Sequence, residues 1–293
     1  MEEQLEQSKR RLHFCMALIG GWFGAYAILR FHHFASAVTV NFIEVFTSAV
    51  QENWIKALLR LGIVILYVFT IFLAACLSKR CKGDLRMWAI LSDAAAACVL
   101  SVLPEHLSEL GVYICIFAMG FQWCVFAGKY GYPCSTIFST NNLRQFVDAW
   151  VQAHLFRDSD HIPRMNLYGG TLLAFHAGVI AECVLWAMGW GSCTILPVLL
   201  PAVLALVWQR RDFRMRERIE EAFEPHHTAL TKRPCRNDRA VFVQYAKETP
   251  IFSVNLRTIH ERKFVLIFRY SRGGPLWDPM IRERGKLWKK SLN

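Results

Sequence analysis

The sequence predicts an all-α membrane protein with six transmembrane helices, arranged as an inverted 3+3 repeat. Three observations lead there. Charged residues sit in blocks, and the gaps between blocks are apolar windows of about 16–23 residues, the length that crosses a ~30 Å hydrocarbon core. One unusual segment occurs twice, from Ile19 to Val50 and from Phe117 to Trp150. Each copy runs through glycines and aromatics into a Thr/Asn cluster that opens a short amphipathic helix. Lys and Arg fall on alternate loops, as they do when spans follow one another across a bilayer.

The 293 residues are 54% apolar and 19% charged, with positive mean hydropathy. Residues 1–12 form a charged lead and His13–Leu29 a slightly short first span, with no small-residue cleavage pattern after it. Arg30–Ile55 holds the first motif. The second span runs from Lys56 to Leu77, with Lys56 and Arg60 snorkelling at its start. A basic loop over Ser78–Arg86 precedes the third span, Met87–Leu103, which contains Asp93. Pro104–Glu109 is a short acidic turn, Leu110–Ala127 the fourth span, and Gly128–Asn166 the second motif with its polar connector. The fifth span, Leu167–Met188, carries His176 and Glu182. A tight GWGSC turn leads to the sixth, Cys193–Trp208, whose Pro197 and Pro201 are tolerated in membrane helices.

The lead, the 78–86 loop, the 128–166 connector and the segment after Trp208 are basic, whereas the turns at 104–109 and 189–192 carry no Lys or Arg. The positive-inside rule therefore places both termini in the cytoplasm. Three spans per unit is an odd number, so the second unit (105–208) inserts upside down relative to the first (13–104). Broken helices in inverted repeats are the layout of many secondary transporters. Close packing of glycine-rich duplicated helices is the plainer reading of the same pattern.

Residues 209–293 form a small basic C-terminal region with 20 Lys/Arg against 10 Asp/Glu. It opens as a charged helix. The runs at 240–246, 251–257 and 263–270 read as strands, so the region is expected to be cytoplasmic and α+β. Its charge suits anionic lipid headgroups. No helix-turn-helix, zinc or RNA-recognition motif favours nucleic acid.

Against these residues a resemblance can be stated. FAMGFQ at Phe117–Gln122 followed by Thr140 and Asn142, with Gly20, Gly21, Thr39 and Asn41 in the first half, resembles the paired signature of the YoaK-like family over about residues 13–208. These are bacterial inner-membrane proteins classed as a domain of unknown function. The resemblance implies a six-span fold and an inner-membrane location, and no activity. Four positions depart from it. Gly24 stands where the family usually has an acidic residue, Trp123 replaces an amide, and Val40 and Asn141 replace the glycines of the two TGN motifs. An acid that carried a proton or ion in the family is thus missing at Gly24.

Candidate site residues follow from cost. A carboxylate in hydrocarbon is costly and faces protein or water, so Asp93 and Glu182, with His176, are the candidate coupling groups. A hydrogen bond to a neighbouring hydroxyl, such as Ser92 or Thr171, is the structural alternative for the acids. Thr39, Asn41, Thr140, Asn141 and Asn142 are placed to cap half-helices, whose exposed N–H groups can also hold an anionic substrate. Gln122 is placed to bond across the interface between the halves. His32 and His33 are adjacent, point different ways and read as interfacial. No GxSxG, HExxH, P-loop or GxGxxG stands in a supporting context, so no catalytic residues and no cofactor are expected. The ten cysteines form no CxxC pair, mostly fill apolar windows, and suggest no metal site. Two functions fit: a small secondary transporter for an unknown small molecule, with its site between the two Thr/Asn motifs, or a membrane scaffold docking lipid, protein or a second copy of itself.

Overall fold

The computed structural model of the chain describes residues 2–34, 38–80, 83–126 and 133–231. Among these residues all regular structure is helical. The three strand-like runs beyond residue 232 lie outside the described part.

Eight α-helices follow in order: α1 (Glu2–Phe31), α2 (Val38–Val50), α3 (Trp54–Arg80), α4 (Leu85–Val102), α5 (Ser108–Phe126), α6 (Thr140–His154), α7 (Ile162–Ala187) and α8 (Leu199–Thr231). Six segments are long and apolar enough to cross a membrane: α1, α3, α4, α5 with the short turn before it, α7, and α8 with the 3-10 stretch Gly191–Val198 ahead of it. The six windows expected from sequence are therefore all helical. Their ends shift by a few residues, and most at the first and last spans. The charged lead is not a separate segment, because α1 runs unbroken from Glu2. The sixth span begins as 3-10 helix, with Pro197 inside it, and its α-helical part continues past Trp208 into the charged segment expected to be helical.

Exposed apolar side chains form stripes at helical spacing, such as Leu58, Leu61, Ile65, Val68 and Phe72 on α3. A face of that kind suits hydrocarbon rather than water. The inward faces meet in one core that includes Met16, Ile19, Phe23 and Tyr26 of α1, Ile90 and Leu100 of α4, and Ile116 and Met119 of α5.

The spans alternate in direction. At one end Ser8 donates to the carbonyl of Trp208 and Gln209 reaches Asp84 at 3.4 Å. At the far end Tyr26 donates to Leu100 O and Ser192 to Ser101 O. The far-end turn before Gly191 needs glycine at 189 and 191, where φ is +81° and +57°.

Helix α1 packs on α7 and α5 on α3; α2 packs on α3 and α6 on α7; α4 touches α5, and the 3-10 stretch touches both α1 and α4. The α1–α7 contact brings backbone against backbone. A Cβ on Gly21 would lie 1.9 Å from the carbonyl oxygen of Phe175, and one on Gly178 would lie 2.1 Å from that of Leu18. Glycine at both crossings lets the helices approach that closely.

Candidate functional site

The chain after α5 does not leave the bundle cleanly. Residues 133–139 form an irregular strap whose Cys134–Ile137 are all buried. The carbonyl of Thr136 lies so close to α1 that a Cβ on Gly20 would be 2.2 Å from it. Gly20 sits about 16 Å along the helix from Phe31, near the middle of α1. Non-helical backbone is tolerated at that depth only where protein satisfies its polar groups.

Here side chains do so. Ser135 N donates to Asn142 Oδ1 (3.0 Å), and Asn142 Nδ2 donates back to Ser135 O (2.6 Å). The amides of Ile137 and Phe138 donate to Ser135 Oγ, and Asn141 Nδ2 donates to Pro133 O. From α5, Gln122 Nε2 donates to Thr136 Oγ1 and to the carbonyl of Met16 on α1, both at 2.8 Å. Gln122 thus ties α5 to α1 and to the strap. Its Oε1 is buried with no hydrogen-bond partner among the described residues.

The first motif repeats the arrangement with different atoms. Asn41 is buried in α2 and meets His33 Nε2 at 2.9 Å through Oδ1. An amide oxygen only accepts, so Nε2 carries the proton. Three residues beyond each asparagine the helix meets an arginine near the start of the next span. Glu44 pairs with Arg60 Nε of α3 at 2.6 Å, and Gln145 accepts from Arg164 of α7, which also reaches Asp148 at 2.9 Å. Sequence reading missed these arginine contacts. The available signal was the equal offset from Asn41 to Glu44 and from Asn142 to Gln145.

The threonines behave otherwise. Thr39 and Thr140 are exposed, α6 begins at Thr140 itself, and its N-cap Ser139 makes no side-chain cap bond. The asparagines, not the threonines, anchor the helix starts, because an amide has both a donor and an acceptor with which to hold a bent strand of backbone. The two Thr/Asn motifs do not converge. The first joins the far end of α1 to the start of α3, and the second follows α5 at the end that carries the N-terminus.

Asp93 lies in the middle of α4 and is fully buried, with both carboxylate oxygens unbonded among the described residues. The expected partner does not serve it: Ser92 donates to Ala89 O. Glu182 is equally buried, about one and a half turns from the far end of α7, beside Trp22 and Thr194. Thr171 donates to Leu167 O instead of to an acid. Its only proton is spent there, so the Cys134 thiol 3.3 Å away is the donor to Thr171 Oγ1. His176 is exposed on the outward face of α7 and bonds Leu172 O, which removes it from any interior relay.

Two charged clusters close the ends of the bundle. At the N-terminal end, Asp84 caps α4 and grips Arg86 through Nε at 2.8 and 2.9 Å, and Arg86 Nη2 meets the fully buried Asp212 of α8 at 2.5 Å. Asp212 also pairs with Arg216 at 3.0 Å. Burial alone would raise the Asp84 carboxyl; the Arg86 guanidinium and backbone N–H more than offset that and hold it below the usual carboxylate range. At the far end, burial lowers the basicity of His33 and Arg60 adds to the effect, with Asn41, Glu44 and Glu109 opposing. Also at the far end, a cavity of about 620 Å³ opens between α1, α5 and α7, lined by Ile28, Leu29, Arg30, His32, Glu105, Ser108 and Trp186. None of the sequence-selected site residues lines it.

Among the described residues no three His, Cys, Asp or Glu side chains come together as a metal would need. The arrangement defines a six-span helical protein with two buried acids, Asp93 without a hydrogen-bond partner among the described residues, an interior strap and a far-end cavity. The chain belongs to the family described as protein of unknown function (DUF1275), which it matches over residues 12–207. This span agrees with the range of the YoaK-like resemblance. No curated protein and no solved structure matches the chain.

Proposed function

We propose that the protein is a small secondary transporter whose two halves are inverted copies, with Asp93 as the coupling group and Glu182 as an accessory acid. One observation carries the reading. Exchanging α1–α4 with α5–α8 leaves the helix contacts in place: α1 on α7 becomes α5 on α3, α2 on α3 becomes α6 on α7, and α4 on α5 becomes the last span on α1. The asparagine anchors and the arginine contacts exchange in the same way. Inverted halves that meet at mid-membrane are the architecture on which alternating access works.

The substrate path differs from the one the sequence suggested. The Thr39/Asn41 and Thr140/Asn142 motifs lie in separate places, with both threonines exposed, which favours a site elsewhere than between them. It runs instead from the far-end cavity toward the buried acids, while the Asp84–Arg86–Asp212 cluster seals the opposite end. The far end is the outer face if the basic loops are cytoplasmic, as in a plasma or bacterial inner membrane. The scaffold reading is favoured by nothing comparable, although the basic residues from Arg210 to Arg218 on α8 suit contact with anionic lipid.

The test is proton movement in proteoliposomes holding the full chain and a pH-sensitive dye, with candidate substrates taken from a metabolite comparison of deletion and overexpressing cells. Substrate-dependent acidification that is lost in Asp93→Asn supports the reading. Uptake unchanged in that variant removes Asp93 from the mechanism, and no uptake of any accumulated metabolite removes transport.

A further inference from the structure

The far-end cavity has a chemistry that no motif announced. Its polar end is Arg30, on the last turn of α1, whose side chain is 17% exposed; its rim is Glu105, whose side chain is 86% exposed. The two meet at 2.9 Å through Arg30 Nη1 alone, while a guanidinium offers five donors in a fork that fits a carboxylate with two parallel bonds. Ion pairs with one partner that open to water are weak and readily exchanged. The walls are Ile28, Leu29 and Trp186, apolar and aromatic. A volume of about 620 Å³ falls in the range of small-ligand sites.

We propose that this cavity binds a small organic carboxylate, its acid on Arg30 and its apolar body against Trp186, Ile28 and Leu29. Glu105 acts as an internal competitor that occupies Arg30 when the ligand is absent. The direction of charge decides the class. The largely buried polar group is a permanent cation, and the only carboxylate among the described residues that line the cavity is exposed at the rim, so an amine would find no buried acid to meet. The proposal deepens the transporter reading by naming a substrate class for its mouth, and it depends on that reading only for what happens after binding.

The experiment is calorimetric titration of the full chain in detergent with benzoate, and with benzylamine of matching shape. Benzoate binds and benzylamine does not. Glu105→Gln, at an exposed position that should not disturb folding, tightens benzoate at least fivefold by removing the competitor, and Arg30→Gln abolishes it. Benzoate affinity unchanged in Glu105→Gln, benzoate bound by neither protein, or stronger binding of benzylamine overturns the proposal. Because Arg30→Gln could fail to fold, the Glu105→Gln result is decisive by itself. Binding without uptake would leave this site standing and remove the transporter reading.

Discussion

Replacing Asp93 with alanine should make the protein more stable and inactive at once. The side chain is fully buried at mid-helix, and neither carboxylate oxygen has a hydrogen-bond partner among the described residues. An aspartate at the centre of a membrane helix costs about 2.5–3.5 kcal/mol on insertion scales, against a value near zero for alanine. The truncation leaves a small void among Ala89, Ala96 and Ala97, which are themselves buried, and that void offsets about 1 kcal/mol. The expected net effect is a gain of about 1.5–2.5 kcal/mol, a shift of roughly 10- to 70-fold in the folding equilibrium. Unfolding of the purified chain in mixed micelles by increasing SDS measures it, and the proteoliposome assay reads the activity in parallel. A structural aspartate bonded to a neighbour would behave oppositely, losing stability on truncation. If Asp93→Ala is destabilised by more than about 1 kcal/mol, the carboxyl has a partner and the functional argument built on its isolation fails.

Four further outcomes are expected. Gly178→Ala should cost about 2–3 kcal/mol in the same SDS assay, because its Cβ meets the Leu18 backbone, which cannot give way as a side chain would; Gly83→Ala, with nothing within 4 Å, is the neutral control. Asn142→Ala should cost about 2–3 kcal/mol by leaving the buried amide of Ser135 unsatisfied, while Thr140→Ala changes stability by under about 0.5 kcal/mol; equal effects would restore the threonine as the anchor. Acid should weaken the far end. The folded-state pKa of His33 lies below its unfolded value, so the stability it contributes is complete above about pH 6.5 and is lost as pH falls from there through the folded value, and His33→Gln should remove that part of the pH dependence of unfolding. Reporter fusions at Gly83 and Glu105 should report opposite sides, with Gly83 cytoplasmic; a shared side would undo the span order.

Comparison of the two motifs explains what could be read early. Asn41 and Asn142 stood out because amides are rare beside apolar windows, and both prove to be buried anchors. Thr39 and Thr140 shared the same sequence signal and turned out exposed, since a hydroxyl one residue into a helix has no strap to hold. His176 and Glu182, six residues apart on one helix, face different ways, one outward and the other inward, because six residues turn the helix by about one and two-thirds revolutions and leave the side chains about 120° apart. Arg30, Glu105 and Trp186 were invisible as a set. They come from three distant parts of the chain, and only packing of α1 against α5 and α7 brings them to one cavity.

The amino-acid order alone determined the six spans, the doubled segment and the chemical oddity of Asp93 and Glu182, since span length and the cost of polar groups in hydrocarbon are local properties. Tertiary structure decided everything that needed a second element: which amide holds which strap, which acid is left without a partner, and where a guanidinium faces an open cavity. Hydropathy is summed along the chain and can be read there. Partnership is set by helices crossing within a few ångströms of one another, and no spacing in a single strand of sequence records which faces will meet.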